Sequence, residues 1–173
     1  GELDGVSYEE VRYEGYAPSG IAVLVECTTD NRNRTVSEVR HAFTKYGGNL
    51  GSEGSVAYLF DKVGLLIFPP DMDEDVVMEV AVEAGAQDVE TGPDGTVEVI
   101  TEPEELNFVA DQMSAAGLVS ELAEVVQRPT SETELAGEEA EKVMLLINAL
   151  EDLDDVQDVF TNASFPEDTV FAS

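Results

Sequence analysis

The chain has 173 residues, 43% of them hydrophobic, with 38 Asp and Glu against 8 Lys and Arg for a formal net charge of −30. Apolar residues in regular periods fit one or two folded domains and argue against disorder, and no stretch reaches the roughly 20 apolar residues that span a bilayer. One cysteine, Cys27, rules out an internal disulfide framework and a multi-cysteine zinc site, and fits a reducing compartment.

The opening GELDGVSYEE carries neither the basic nor the apolar segment of a signal peptide. Residues 6–16 read as a first strand, APSG (17–20) as a turn, and residues 21–28 as a second strand. On that strand Ile21, Val23, Val25 and Cys27 share one face at period 2. Asp30 or Asn31 can cap a helix over residues 33–46, where Val36, Val39, Phe43 and Tyr46 recur at helical spacing and Gly47 supplies a stop. The loop GGNLGSEG (47–54) leads into a third strand at 55–61.

From Gly64 the pattern restarts. Residues 65–68 read as a strand, PPDMDED as a turn with helix-capping acids, 76–84 as a helix and 87–90 as a short strand. GPDG (92–95) is a tight turn before a strand at 96–101. A helix at 103–116 opens on a proline, and a strand follows at 119–127. That order is β-α-β-β-α-β, the ferredoxin-like split βαβ arrangement. RPTSETELAG (128–137) reads as a polar linker, 138–150 as an amphipathic helix carrying Val143, Leu146, Ile147 and Leu150, and 156–163 as a final strand. The expected fold is therefore α+β, with two ferredoxin-like (α/β plait) lobes. Residues 64–130 form an inserted lobe; residues 1–63 plus 131–173 form a discontinuous lobe that carries the basic helix.

Charge divides unevenly between these regions. Residues 1–62 carry 10 acids and 6 bases, whereas residues 63–173 carry 28 acids and two bases, Arg128 and Lys142. The second region cannot bind a phosphate backbone by counterion release. Its acid is either a solvated surface that favours solubility or a surface that mimics nucleic acid or meets a basic partner. Few lysines beside so many acids also fit adaptation to high salt. A phosphate-bearing partner has one place to land, the run from Arg12 to Lys62.

Within that run the helix is the best candidate site. Arg34, Glu38, His41 and Lys45 lie at i, i+4, i+7 and i+11, a stripe opposite Val39 and Phe43, with Arg40 and Thr44 beside it and Arg32 and Asn33 at its start. One reading is a solvated face with Glu38 pairing neighbouring bases; the other is recognition of phosphate or RNA by guanidinium forks and amides. GGNLGSEGS suggests a phosphate cradle, but it lacks a GK[ST] ending and precedes a strand, so it reads as a mobile turn. Cys27, on an apolar strand face, reads as a core thiol. His41 is the only histidine, which disfavours a histidine metal site. Asp71, Asp73 and Asp75 resemble the start of a calcium loop, yet Val76 and Val82 stand where glycine and glutamate are needed. EDLDD (151–155) reads as a helix-terminating acidic turn, although carboxylates at a helix C-terminus are slightly unfavourable. No enzymatic centre, metal or cofactor is expected from these residues.

With those residues in view, the chain resembles the YebC family, which includes the mitochondrial translational activator of cytochrome c oxidase subunit I. The resemblance is carried by YEGYAPSGIAVLVE, TDNRNRTVSEVRHAFTKYGGNLGSEGSVAYLF, MEVAVEAGAQDVE and EDLDDVQDVFTN, which together run through nearly the whole chain. One departure is APSG at 17–20, where the family usually reads GPGG. Family members resemble three-domain proteins with a basic helical domain ahead of two α/β lobes; nothing in this sequence corresponds to it, so the chain is expected to start at the second domain. The resemblance implies a ribosome-associated translational activator that contacts rRNA, with relief of stalling on proline-rich nascent peptides as the bacterial role. A DNA-binding transcriptional regulator is the alternative it also implies. The implied nucleic-acid contacts are Asn31, Arg32, Asn33, Arg34, Arg40, His41 and Lys45, with Gly47, Gly48 and Asn49 as further candidates in the loop. The implied location is the cytoplasm, or the mitochondrial matrix for a eukaryotic source, with no membrane partner.

Overall fold

The computed structural model describes residues 7–165. Two compact units emerge: Asp61–Arg128, and the flanking chain up to Phe60 together with that from Pro129. Both are α+β, and each is built on a four-stranded sheet.

In the flanking unit, β1 (Glu9–Ala17) and β2 (Ile21–Thr29) pair as an antiparallel hairpin from Glu9↔Thr29 to Ala17↔Ile21. Val6, placed by sequence in the first strand, lies outside the described residues. The helices are α1 (Arg32–Lys45) and α4 (Gly137–Glu151), and the outer strands are β3 (Asn49–Leu50) and β9 (Val156–Thr161). Sheet order is β3-β1-β2-β9. A tight hairpin makes β1 and β2 neighbours; β3 adds beside β1 and β9 beside β2, so β2, α1 and β3 form a parallel crossover with β1 between its strands.

The period-2 face of β2 is borne out. Ile21, Val23, Val25 and Cys27 pack against Val39, Ala42 and Phe43 of α1 and Val143, Leu146, Ile147 and Leu150 of α4. The opposite face of β2, Ala22 and Leu24, is covered by Val56 and Phe60. Burial on both faces explains why the strand reads as a near-continuous apolar run, each fully buried large side chain contributing about 1.5–3 kcal/mol. The stretch expected to be a polar linker contains β8 (Thr133–Glu134), which pairs in parallel with β10 (Ala163–Ser164). Leu135 is buried there and its N–H donates to Ser164 O at 2.9 Å, so one apolar side chain anchors an otherwise polar segment.

The inserted unit runs β4 (Phe60–Phe68), α2 (Glu74–Ala84), β5 (Asp88–Thr91), β6 (Val97–Thr101), α3 (Leu106–Ala115) and β7 (Leu122–Pro129). Its sheet order, β5-β6-β4-β7, is the split βαβ order expected from sequence. Val77 and Ala81 of α2 and Leu106, Val109 and Met113 of α3 pack on Leu66, Phe68, Val97 and Val99.

Gly64 corrects the sequence reading locally. The separate strands expected at 55–61 and 65–68 are instead a 3-10 turn, Ala57–Leu59, followed by the single strand β4. Gly64 sits inside that strand because an added Cβ would collide with the Thr101 hydroxyl and reach within 3.0 Å of Leu106. It marks a close approach, not a break.

Candidate nucleic-acid interface

Helix α1 starts where the sequence suggests. Asn31 is the N-cap: its backbone is extended and its side-chain oxygen accepts the Arg34 N–H at 3.1 Å. At the other end Gly47, at φ 83°, turns the chain and lets the Gly48 N–H reach Phe43 O at 2.7 Å. Thr35, Val39, Ala42 and Phe43 are buried against the sheet. That seating leaves Asn33, Arg40, His41, Thr44 and Lys45 exposed.

The two halves of the helix differ in how their basic side chains are paired. Arg34 donates to Asp155 through Nε at 3.2 Å and through Nη2 at 3.0 Å to each carboxylate oxygen, and Nη2 also reaches Asp30 at 2.9 Å. Glu38 lies 3.9 Å from Arg34 Nε. Three carboxylates therefore surround one guanidinium. Thr35 Oγ1 donates to Asp155 Oδ2 at 2.7 Å, and Thr29 Oγ1 lies 3.3 Å from the same oxygen. Burial by itself raises the Asp155 pKa; the hydrogen bonds from Thr35 and Arg34, with the Arg34 charge, outweigh it and hold the carboxyl below its ordinary value. Hydrogen bonds to Asp155 and then Asp30 hold the Arg34 guanidinium more firmly protonated than usual.

Arg32 is also paired, its Nε lying 3.2 Å from Glu9 Oε1 at an exposed site. By contrast, among the described residues the side chains of Arg40 and His41 make no hydrogen bond or ion pair, and Lys45 makes only a contact with the Tyr46 ring, at 5.4 Å from its centroid. The predicted residues thus fall into two groups. Asn31, Arg32 and Arg34 are engaged within the protein, whereas Asn33, Arg40, His41 and Lys45 face outward.

The glycine-rich loop is tied down, which corrects its reading as a mobile turn. Glu14 on β1 is buried, and its carboxylate accepts N–H groups from Gly54 at 2.7 Å, Val56 at 2.9 Å and Ala57 at 2.7 Å. The loop is an anion cradle filled by the protein's own side chain. Burial raises the Glu14 pKa, but the three N–H groups outweigh it and keep the carboxyl below its ordinary value. Gly48 has no room for a side chain, since a Cβ would run into the Tyr16 carbonyl, and Asn49 pairs with Tyr16 in β3. Gly47 and Asn49 remain exposed beside the end of α1.

Sequence reasoning missed Asp155 and Glu14. The one signal for Asp155 was its awkward position in an acidic run after a helix end, where the macrodipole disfavours it. Nothing local marked Glu14.

These arrangements occur in a chain whose residues 8–163 match a family model described as the second and third domain of TACO1/YebC. The chain belongs to the TACO1/YebC family. A probable transcriptional regulatory protein of Nitrosococcus oceani is 55% identical over 168 residues, covering 97% of this chain and 68% of that protein. HEAR0561 of Herminiimonas arsenicoxydans, likewise named a probable transcriptional regulatory protein, is 58% identical over 163 residues, covering 94% of this chain and 67% of that one. The crystal structure of the conserved hypothetical protein Aq1575 from Aquifex aeolicus superposes with a TM-score of 0.85 at 49% identity, covering 96% of this chain and 69% of that one.

Where this TACO1/YebC chain reads APSG, the turn is a 3-10 element, Pro18–Gly20, in which Ser19 adopts φ 68° and Gly20 φ 73°. Ser19 occupies a left-handed position that favours glycine. Its hydroxyl donates to Glu139 at 3.0 Å. Cys27 is buried in the core, and burial, followed by the charges of Asp155 and Glu26, pushes its thiol up to about 12. In the acidic turn before α2, Asp73 caps the helix by accepting the Asp75 N–H at 2.9 Å, and Glu74 accepts the Thr91 hydroxyl at 2.7 Å. Arg128, one of the two bases beyond residue 62, pairs with Glu90. No helix among the described residues is long and apolar enough to cross a membrane.

Proposed function

We propose that this chain is a non-enzymatic, ribosome-associated translational activator that binds RNA through the exposed C-terminal half of α1. Relief of stalling on proline-rich nascent peptides, in the cytoplasm, is the role that the family resemblance adds. One observation carries the reading: Arg40, His41 and Lys45 stand exposed, without acidic partners among the described residues, on a chain of net charge −30. Asn33 and Asn49 flank that face as amide donors. A body this acidic opposes free duplex binding, whereas a ribosome can offer RNA to the basic face and basic proteins to the acidic remainder. The buried, protonated Cys27 supports a reading without nucleophilic chemistry.

The second reading, a DNA-binding transcriptional regulator, is favoured by the names of the Nitrosococcus and Herminiimonas relatives. Co-sedimentation with bacterial ribosomes separates the two. The wild-type chain should pellet with ribosomes, and a variant carrying Arg40→Ala and Lys45→Ala should stay in the supernatant. Equal pelleting of both proteins, or none by the wild type, sinks the first reading. Promoter binding with a clear specificity ratio would establish the second.

A further inference from the structure

We propose that Asp155 is a positioning residue for the RNA-binding face of α1, and that Arg34 serves as its partner and does not bind the ligand. The inference rests on the RNA-binding reading above. Asp155 gathers two successive pieces of chain, the end of β2 and the first turn of α1. Its backbone oxygen accepts the Thr28 N–H at 2.9 Å near the end of β2. Its carboxylate reaches Thr29 at the strand end, then Thr35 and Arg34 in the first turn of α1. The start of the helix is thereby fixed to the turn between α4 and β9, and that fixes the direction in which Arg40, His41 and Lys45 point.

The same contacts take Arg34 out of electrostatic play. A guanidinium flanked by Asp155, Asp30 and Glu38 belongs to a cluster with more negative than positive charge. A phosphate approaching it meets net repulsion and releases no counterion on its account. Arg32, held by Glu9, adds nothing that changes this sign. The N-terminal half of α1 orients, and the C-terminal half binds.

This division gives a test in which charge and position predict opposite signs. Asp155→Asn makes the chain less negative, so electrostatics alone predicts tighter RNA binding; loss of positioning predicts weaker binding. The assay is co-sedimentation of each variant with bacterial ribosomes across a potassium chloride titration. Arg40→Ala and Lys45→Ala should each flatten the log–log salt slope by about 0.7–0.9. Asp155→Asn should bind roughly threefold to tenfold more weakly with the slope unchanged. Arg34→Ala should weaken binding without flattening the slope. Arg34→Lys, which keeps the charge at an exposed position and loses the fork, should behave like Arg34→Ala; this pair decides the matter even if Asp155→Asn does not fold. Tighter binding by Asp155→Asn, or a slope loss in Arg34→Ala equal to that of Arg40→Ala, overturns the inference alone. No ribosome binding by the wild type overturns the RNA-binding reading and this inference with it.

Discussion

Arg34 and Asp155 stand 121 positions apart and meet through three hydrogen bonds of 3.0–3.2 Å. The pair lies in the flanking unit, between the first turn of α1 and the turn before β9, so the two chain segments that make up this unit are linked at the base of its basic helix. Thr29 and Thr35 complete the contact from beneath. An acidic turn that looks merely solvated in sequence is thus part of the helix's foundation.

Removing that carboxylate should be costly. Asp155→Ala removes the acceptor of the Thr29 hydroxyl and of the Arg34 fork, leaves the Thr35 hydroxyl only Asn31 O and Thr29 Oγ1, and is expected to destabilise the chain by about 2 kcal/mol. Urea denaturation should show a lower midpoint with an unchanged slope. A midpoint equal to that of the wild type would show that the network holds nothing in place.

Glu14 should matter more, because it satisfies three loop N–H groups from a buried position. Glu14→Ala is expected to cost about 3 kcal/mol, and Glu14→Gln less, since the amide oxygen can still accept. Amide hydrogen exchange read at Gly54, Val56 and Ala57 should accelerate in both variants, more in the alanine one. Unchanged exchange would contradict the cradle.

Acid should weaken both contacts. The folded pKa values of Glu14 and Asp155 lie below the ordinary 4.5 and 3.8, so the unfolded chain binds protons first as pH falls. Their contribution is full above those ordinary values and is lost as pH drops through the lowered folded ones. Relief of repulsion in a chain of net charge −30 acts in the opposite direction, so the comparison between wild type and variant isolates the effect. The stability gap between wild type and Glu14→Gln should narrow on acidification; a gap independent of pH would assign the effect of Gln to packing.

Two turn substitutions should move stability in opposite directions. Ser19→Gly relieves a left-handed serine and should gain up to about 1 kcal/mol, the exposed hydrogen bond to Glu139 contributing little. Gly48→Ala drives a methyl into the Tyr16 carbonyl and should lose about 3 kcal/mol or more. Thermal unfolding of the two variants beside the wild type reads both signs at once.

Cys27 should be silent until the chain unfolds. With its thiol buried and pushed up to about 12, a disulfide reagent at neutral pH should label the native protein negligibly and the urea-unfolded protein fully. Rapid native labelling would mean that the sheet opens around β2.

Much of the fold was legible because it is written in local patterns. The period-2 face of β2, the Asn31 cap and the Gly47 stop each depend on a few neighbouring residues, and all three stand in the structure. Gly64 and Leu135 misled the reading for the same reason. A glycine required by Thr101 looks like a break, and one buried leucine in a polar stretch looks like part of a linker.

The exposed face of α1 shows where local pattern stops. Amino-acid order was enough to establish the helix, the Val39 and Phe43 core of its apolar face, the clustering of bases within one run and the family to which the chain belongs. The structure chose Asn31 over Asp30 as the cap and put Thr35 and Ala42 in the buried stripe, with Val36 and Tyr46 only half-buried. Folding in three dimensions decided which of those bases are available and whether the glycine loop has N–H groups to spare. Charge and hydrogen bonding depend on separation in space, and the partners that decide the matter, Asp155 for Arg34 and Glu14 for the loop, are distant in the chain.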